Sequence, residues 1–254
     1  MLKVRIIPCL LLRNASLVKT IQFNKSNYIG DPANTCRIFN ELEVDELTFL
    51  DITASREKRE PNYKILKEIA NECFMPLSYG GGIRDIKTAE KIFKIGFEKV
   101  ILNSYPFENT EIINDLARAF GRQSVIVAID VKKNILGGYH VYSLSGTVNE
   151  KRHPVEWARE IEMRGAGEIL LTSIDREGTW KGFDLDLTAS VAQKVKIPVI
   201  ANGGAGTVQH IRDVVKKGHA SAVALGSMVV FQGKDCGVLV NFPDKKELEK
   251  ALSI

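Results

Sequence analysis

The 254-residue chain predicts an α/β fold, a single (β/α)8 TIM barrel built from two similar half-barrels and occupying residues 1–254 as one domain. Three observations carry this expectation. Short apolar runs alternate with amphipathic stretches along the chain. The runs carry Val, Ile or Leu at successive positions, as strands covered on both faces do. Several segments of the first half recur in the second at an offset of roughly 120 residues, far beyond the period of a solenoid.

The first run, residues 4–10, is followed by residues 47–50 and 77–79. Between the second and third, residues 62–72 set Tyr63, Ile65, Leu66 and Ile69 on one helical stripe. Residues 86–95 do the same with Ala89, Ile92 and Phe93, and lead to the fourth run, 100–102, and the fifth, 125–129. The helical pattern 154–164 precedes the sixth run, 169–172, and 208–217 lies between the seventh, 199–201, and the eighth, 222–225. Gly96, Gly165 and Gly218 stand where these helices should stop. A doubly wound open sheet is the alternative, but no G-x-G-x-x-G follows the first run.

The internal repeat is specific. ELTFLDITASREK (46–58) matches EILLTSIDREGTW (168–180), YGGG (79–82) matches ANGG (201–204), and VILNS (100–104) matches VALGS (223–227). Three matches in register point to a duplicated half-barrel with two similar ligand corners.

Composition narrows the class. With 44% hydrophobic residues the chain can bury one large core. Its net charge of +4 suits an anionic small molecule, and the absence of a long basic run argues against nucleic acid. Cys9, Cys36, Cys73 and Cys236 form no C-x-x-C pair and read as free thiols of a reducing cytosol. His140, His153, His210 and His219 lack ligand spacing, so no metal and no cofactor are expected. No signal peptide and no run of about 20 apolar residues is present, which predicts a cytoplasmic protein without a membrane span.

A barrel of this class places its chemistry where the strands end. Those positions hold Asp51, Gly82, Asn103, Ser104, Asp130, Thr172, Asp175, Gly203, Gly204, Gly226 and Ser227. Glycine lets backbone N–H groups converge on a phosphate, and a following helix adds its N-terminal partial charge. Gly82 with Asn103 and Ser104 would form one phosphate cradle; Gly203 and Gly204 with Gly226 and Ser227 would form the other, so the substrate should carry a phosphate at each end. The bland alternative is that these glycines serve tight turns. Asp130 ends an apolar run and is the best acid/base candidate, the alternative being a cap or a partner for Lys19. Asp51 and Asp175 could orient substrate hydroxyls or merely order loops. At the other end of the barrel, Arg5, Glu46, Lys99 and Glu168 start four runs. Pointing inward, they would close the floor with alternating charge and could gate a small polar molecule; ordinary surface ion pairs are the alternative.

The chain resembles the cyclase subunit of imidazole glycerol phosphate synthase, over residues 1–231. The resemblance is dense in VDELTFLDITAS (44–55), YGGGI (79–83), VAID (127–130), RGAGEILLTSIDREGT (164–179) and ANGGAG (201–206). It implies a glutaminase (glutamine amidotransferase) subunit docked on the N-terminal face of the barrel and ammonia passing upward to the mouth. The gate residues of that family fall on Arg5, Glu46, Lys99 and Glu168. Its phosphate sites fall on Gly82, Asn103 and Ser104, and on Gly203, Gly204, Gly226 and Ser227, and its loop lysine on Lys19. Of its two acid/base aspartates, one falls on Asp130 and the other on Leu11. Where the family reads C-L-D-V-x-x-G-x-V-V-K-G, this chain reads CLLLRNASLVKT (9–20), and Glu177 replaces a usual aspartate.

A leucine cannot transfer a proton, so the loss should remove most of the cyclase activity. The resemblance is therefore to a divergent paralogue of the type that accompanies a glutaminase and a sugar-amidating protein in bacterial surface-glycan (lipopolysaccharide) biosynthesis. Ammonia would then be delivered to a phosphorylated or sugar substrate for amidine formation, with the sugar-amidating protein as a third partner. An authentic cyclase of histidine biosynthesis and a non-catalytic scaffold that activates the glutaminase are the other readings.

Overall fold

The computed structural model describes residues 4–253. The first half of the chain supplies β1 (Arg5–Arg13), β2 (Ser16–Thr20), β3 (Ser26–Gly30), α1 (Pro32–Glu41), β4 (Leu47–Asp51), α2 (Tyr63–Asn71), β5 (Leu77–Gly80), α3 (Ile86–Ile95), β6 (Lys99–Leu102) and α4 (Glu111–Phe120). The second supplies β7 (Val125–Lys133), β8 (Tyr139–Ser143), β9 (Val148–Asn149), α5 (Pro154–Met163), β10 (Glu168–Ser173), α6 (Leu185–Ala192), β11 (Val199–Asn202), α7 (Val208–Lys216), β12 (Ala222–Leu225), α8 (Ser227–Val230) and α9 (Lys245–Leu252).

Eight strands pair in parallel in the order β1, β4, β5, β6, β7, β10, β11, β12, and β12 returns to β1, which closes the barrel. The closed ladder leaves no barrel edge unpaired, and the side chains alternate between its two faces. Ile7, Cys9, Ile101, Ile126, Ala128, Leu170, Ile200, Ala222 and Ala224 pack together inside. The intervening residues, among them Phe49, Tyr79, Val127 and Leu171, face the helices and form the larger outer core.

The helices begin where a side chain can satisfy the first free N–H groups. Asp31 accepts from the Asn34 N–H (2.9 Å) with Pro32 opening α1. Asp85 caps α3 through the Thr88 N–H (2.7 Å) and Asp184 caps α6 through the Leu187 N–H (3.1 Å). Gly96 ends α3 with φ of 121°, a conformation that favours glycine.

Two strands run longer than their apolar runs predict. β1 continues past residue 10 to Arg13 and turns at Asn14 (φ 57°) into antiparallel β2. β7 continues past Asp130 to Lys133 and turns into antiparallel β8. The Leu10-Leu11-Leu12 triplet is therefore mid-strand, with Leu11 paired to Leu50 on one side and Val18 on the other. The two hairpins occupy equivalent places in the two halves. Beyond the barrel proper, α9 packs against α7 through buried Leu248.

Candidate active site

At the floor, Arg5, Glu46, Lys99 and Glu168 close on one another as a ring. Arg5 donates from Nη1 to Glu46 Oε2 and from Nη2 to Glu168 Oε2, both at 2.7 Å. Lys99 Nζ lies 3.1 Å from Glu46 Oε1 and 2.9 Å from Glu168 Oε1. Each strand start places one of these side chains inward, so the sign alternates around the ring. Burial alone would raise the Glu168 carboxyl; the bonds and charges of Arg5 and Lys99 outweigh it and hold the group below the ordinary glutamate value. Such a cluster stands in a partly dry site because every charge has two partners.

Above the ring the interior is apolar, and above that an open cavity lies at the C-terminal ends of the strands. Of the predicted mouth residues, Leu11, Lys19, Asp51, Gly82, Asn103, Ser104, Asp130, Thr172, Gly203, Gly204, Gly226 and Ser227 all line it. Asp175 does not: its Oδ2 accepts the Lys133 N–H at 2.8 Å and ties the 173–179 turn to the end of β7. Asp51 reaches the rim but is engaged, with Arg59 at 2.9 Å and the Thr53 and Ala54 N–H groups each at 3.1 Å. The loop-ordering alternative describes these contacts of both aspartates.

Asp130 is buried in the lining of the cavity. Its Oδ2 accepts from Asn103 Nδ2 at 3.1 Å. Burial pushes its carboxyl up to about 7; the Thr172 and Asn103 hydrogen bonds pull down, and the negative charge of Glu177 pushes up again. A carboxyl poised there can take or give a proton at neutral pH. The equivalent rim position in the other half is Leu11, also buried. Nearby Cys9 is pushed up to about 12 by burial, which leaves it a thiol.

The first corner is built from Gly82, Asn103 and Ser104. Gly82 has φ of 70°, and a Cβ there would sit 2.6 Å from the Arg59 carbonyl, so only glycine fits. Ser104 donates to Asn103 Oδ1 (3.1 Å) and accepts the Leu144 N–H (3.0 Å), while the Ser145 hydroxyl donates to the Ile52 carbonyl (2.7 Å). The β8–β9 turn thus seals this corner. The second corner is built from Gly203, Gly204, Gly226 and Ser227, and Lys19 of β2 lies over it: a Cβ on Gly226 would come within 2.8 Å of Lys19 Cε. Neither corner opens directly onto a full helix. A single 3-10 turn, Tyr105–Phe107, follows the first, and the four-residue α8 follows the second. The helix-end charge expected there is correspondingly small, and loop N–H groups carry the electropositive surface.

Glu177 is the residue that sequence reasoning left outside the site. It lines the cavity, is 4% exposed, and its Oε1 accepts from Lys19 Nζ. Its Oε2 accepts the Phe23 N–H at 3.2 Å, and its carbonyl accepts the Gln22 N–H at 2.9 Å. The internal repeat held a signal, because it aligns Glu177 with Ser55, another cavity residue, whose Oγ accepts the Gly82 N–H at 3.4 Å. Among the described residues no cluster of three metal-binding side chains occurs, and no helix is long and apolar enough to cross a membrane.

Comparison with known proteins places this geometry. The profile of the family described as histidine biosynthesis protein matches residues 5–235. A protein provisionally named imidazole glycerol phosphate synthase subunit hisF2, from Pseudomonas aeruginosa, is 50% identical over 249 residues, 98% of this chain and 99% of that one. A provisionally named subunit hisF3 of Vibrio vulnificus is 46% identical over 255 residues, 100% of this chain and 98% of its own. The imidazole glycerol phosphate synthase subunit HisF of Alkaliphilus metalliredigens is 44% identical over 228 residues, 90% of each chain.

Proposed function

Because the chain belongs to the histidine biosynthesis protein family, among the HisF-type imidazole glycerol phosphate synthase subunits, we propose that it works as an ammonia-accepting synthase subunit whose acceptor differs from that of the histidine-pathway cyclase. A glutaminase docks on the N-terminal face. Its ammonia enters through the Arg5, Glu46, Lys99 and Glu168 ring, rises through the apolar interior and meets a phosphorylated or sugar substrate at the mouth. The product is an amidine in surface-glycan biosynthesis, with a sugar-amidating protein as third partner.

The observation that carries this reading is Leu11 facing the same cavity as Asp130. Ammonia addition followed by ring closure and cleavage needs proton transfers on both sides of the substrate, and an aliphatic side chain can serve neither. The ring and both glycine corners are fully furnished, which supports retention of ammonia delivery and of anionic substrate binding while the terminal chemistry has changed.

The test is turnover of the bisphosphorylated ribulosyl precursor of imidazole glycerol phosphate with ammonium salts. No turnover is expected. Robust turnover, or rescue of a histidine auxotroph, establishes the authentic cyclase instead. That second reading draws its support from Asp130, whose carboxyl is held near neutrality as an acid/base group should be. With a glutaminase bound, glutamate should appear without stoichiometric release of free ammonia.

A further inference from the structure

The buried Lys19–Glu177 pair has a feature that a structural ion pair does not need: its lysine lies over the second glycine corner. Lys19 Nζ donates to Glu177 Oε1, and the lysine's terminal carbons stand against Gly226. Gly203 lies beside the Glu177 backbone, its Cβ position 3.4 Å from the Glu177 nitrogen. The two side chains are 7% and 5% exposed, so water contributes little to solvating either charge. An anion seated at Gly203 and Gly226 would sit beside the same ammonium that now neutralises Glu177. One ammonium then faces two anionic claimants in a space with little water, where a full ion pair is strong and an unpaired charge is costly.

We propose that an oxyanion in the Gly203–Gly226 corner takes Lys19 from Glu177, and that the released Glu177 becomes the second ionisable carboxyl of the mouth, in place of the one missing at position 11. This rests on the reading of that corner as an anion site. The geometry suits the task. Glu177 lines the same cavity as Asp130 and Leu11. Its side chain is buried among the lining residues of that cavity. Its backbone is held at both ends, the carbonyl by Gln22 and the amide by the Ser173 and Ile174 carbonyls, so release of the side chain leaves the turn in place. One hydrogen bond, from the Phe23 N–H, then remains on the carboxyl. A carboxylate that loses its ammonium and gains a neighbouring dianion draws a proton. Anion binding and proton uptake are thereby linked, and the proton arrives only when the substrate's anionic end is seated.

The experiment is calorimetric titration of the full chain with inorganic sulfate at fixed ionic strength, since sulfate itself carries no titratable proton near neutrality. Glu177→Gln should bind sulfate about tenfold more tightly than the wild type, because the competitor for Lys19 has gone. Lys19→Met should bind it at least about tenfold more weakly. Proton uptake on binding, read from buffers of different ionisation heat at mildly acidic pH, should be seen in the wild type and in Asp130→Asn and be lost in Glu177→Gln. Should Glu177→Gln fail to fold, Glu177→Asp keeps the charge on a shorter arm and should tighten binding by a smaller factor. Sulfate bound in the corner with unchanged or weaker affinity in these Glu177 variants overturns the inference and leaves the anion site standing. No binding to the wild type, or equal binding to Gly226→Val, whose side chain would enter the corner against Lys19 Cε, overturns the anion site itself and the inference with it.

Discussion

The corner at Gly82 is closed by the β8–β9 turn through two hydroxyls: Ser104 accepts the Leu144 N–H, and Ser145 donates to the Ile52 carbonyl. The corner at Gly203 is closed by the β1–β2 hairpin through an ion pair, Lys19 to Glu177. The backbones correspond, since each half extends one barrel strand past the rim and folds it back. The side chains do not, and the same holds at the equivalent strand positions, where one half has Asp130 and the other Leu11. Backbone symmetry is preserved because ladder pairing and glycine turns depend on geometry alone. Side-chain chemistry at the rim answers to the substrate, and here it has become one-sided.

The floor breaks the symmetry too, and offers the largest effect. Both cations of the ring come from the first half, with one carboxylate from each half. Removing Glu46 by Glu46→Ala leaves Arg5 and Lys99 sharing Glu168 and should cost about 3–5 kcal/mol in chemical denaturation. The same experiment on Glu168→Ala should cost less, since Glu168 is the more exposed of the two carboxylates, 12% against 4%. Equal losses would mean that the halves contribute alike. The ring also predicts acid lability. Glu168 is held below its ordinary value, so its contribution to stability is present above the unfolded-state value of about 4.3 and lost as pH falls through the folded one.

Adding a carboxyl at position 11 tests the mouth. Leu11→Asp places an acid opposite Asp130 and should raise ammonium-dependent cyclase turnover by about 100-fold from background. No gain would show that the Arg13-Asn14-Ala15 turn has diverged as well. Removing the Asp130 carboxyl acts on stability. Asp130 is raised to about 7, so the folded state loses stability as pH climbs from about 4 to about 7 and no further above that. Asp130→Asn should therefore stabilise the protein by on the order of 4 kcal/mol at pH ~8 and by nothing at pH ~3, read from thermal unfolding at both. The smallest expected change is Ser104→Ala, which removes the acceptor of the Leu144 N–H and should cost about 1 kcal/mol by denaturant titration.

The barrel was legible because its strands are apolar at successive positions, and the helices because Asp31, Asp85, Asp184 and Gly96 mark their ends. The β1–β2 and β7–β8 hairpins were not read, although Asn14 and the Gly137-Gly138 pair are turn signals: Asp130 and Lys132-Lys133 interrupt the apolar pattern of β7, and the polar Arg13-Asn14 that ends β1 looks like any loop. The glycine corners could be found from the internal repeat. The roles of Asp51 and Asp175 could not, since their partners, Arg59 and the Lys133 N–H, are brought by loop geometry and leave no periodic trace. Glu177 was hidden for a similar reason: its partner is 158 positions away in the chain.

Position 11 is paired through its backbone on both sides, to Leu50 and to Val18, while its buried side chain lines the mouth cavity. It behaves as a socket whose plug can be exchanged without rewiring the wall that holds it. A fold that fixes its rim this way can lose one reaction and acquire another by single substitutions, and the floor need not register the change.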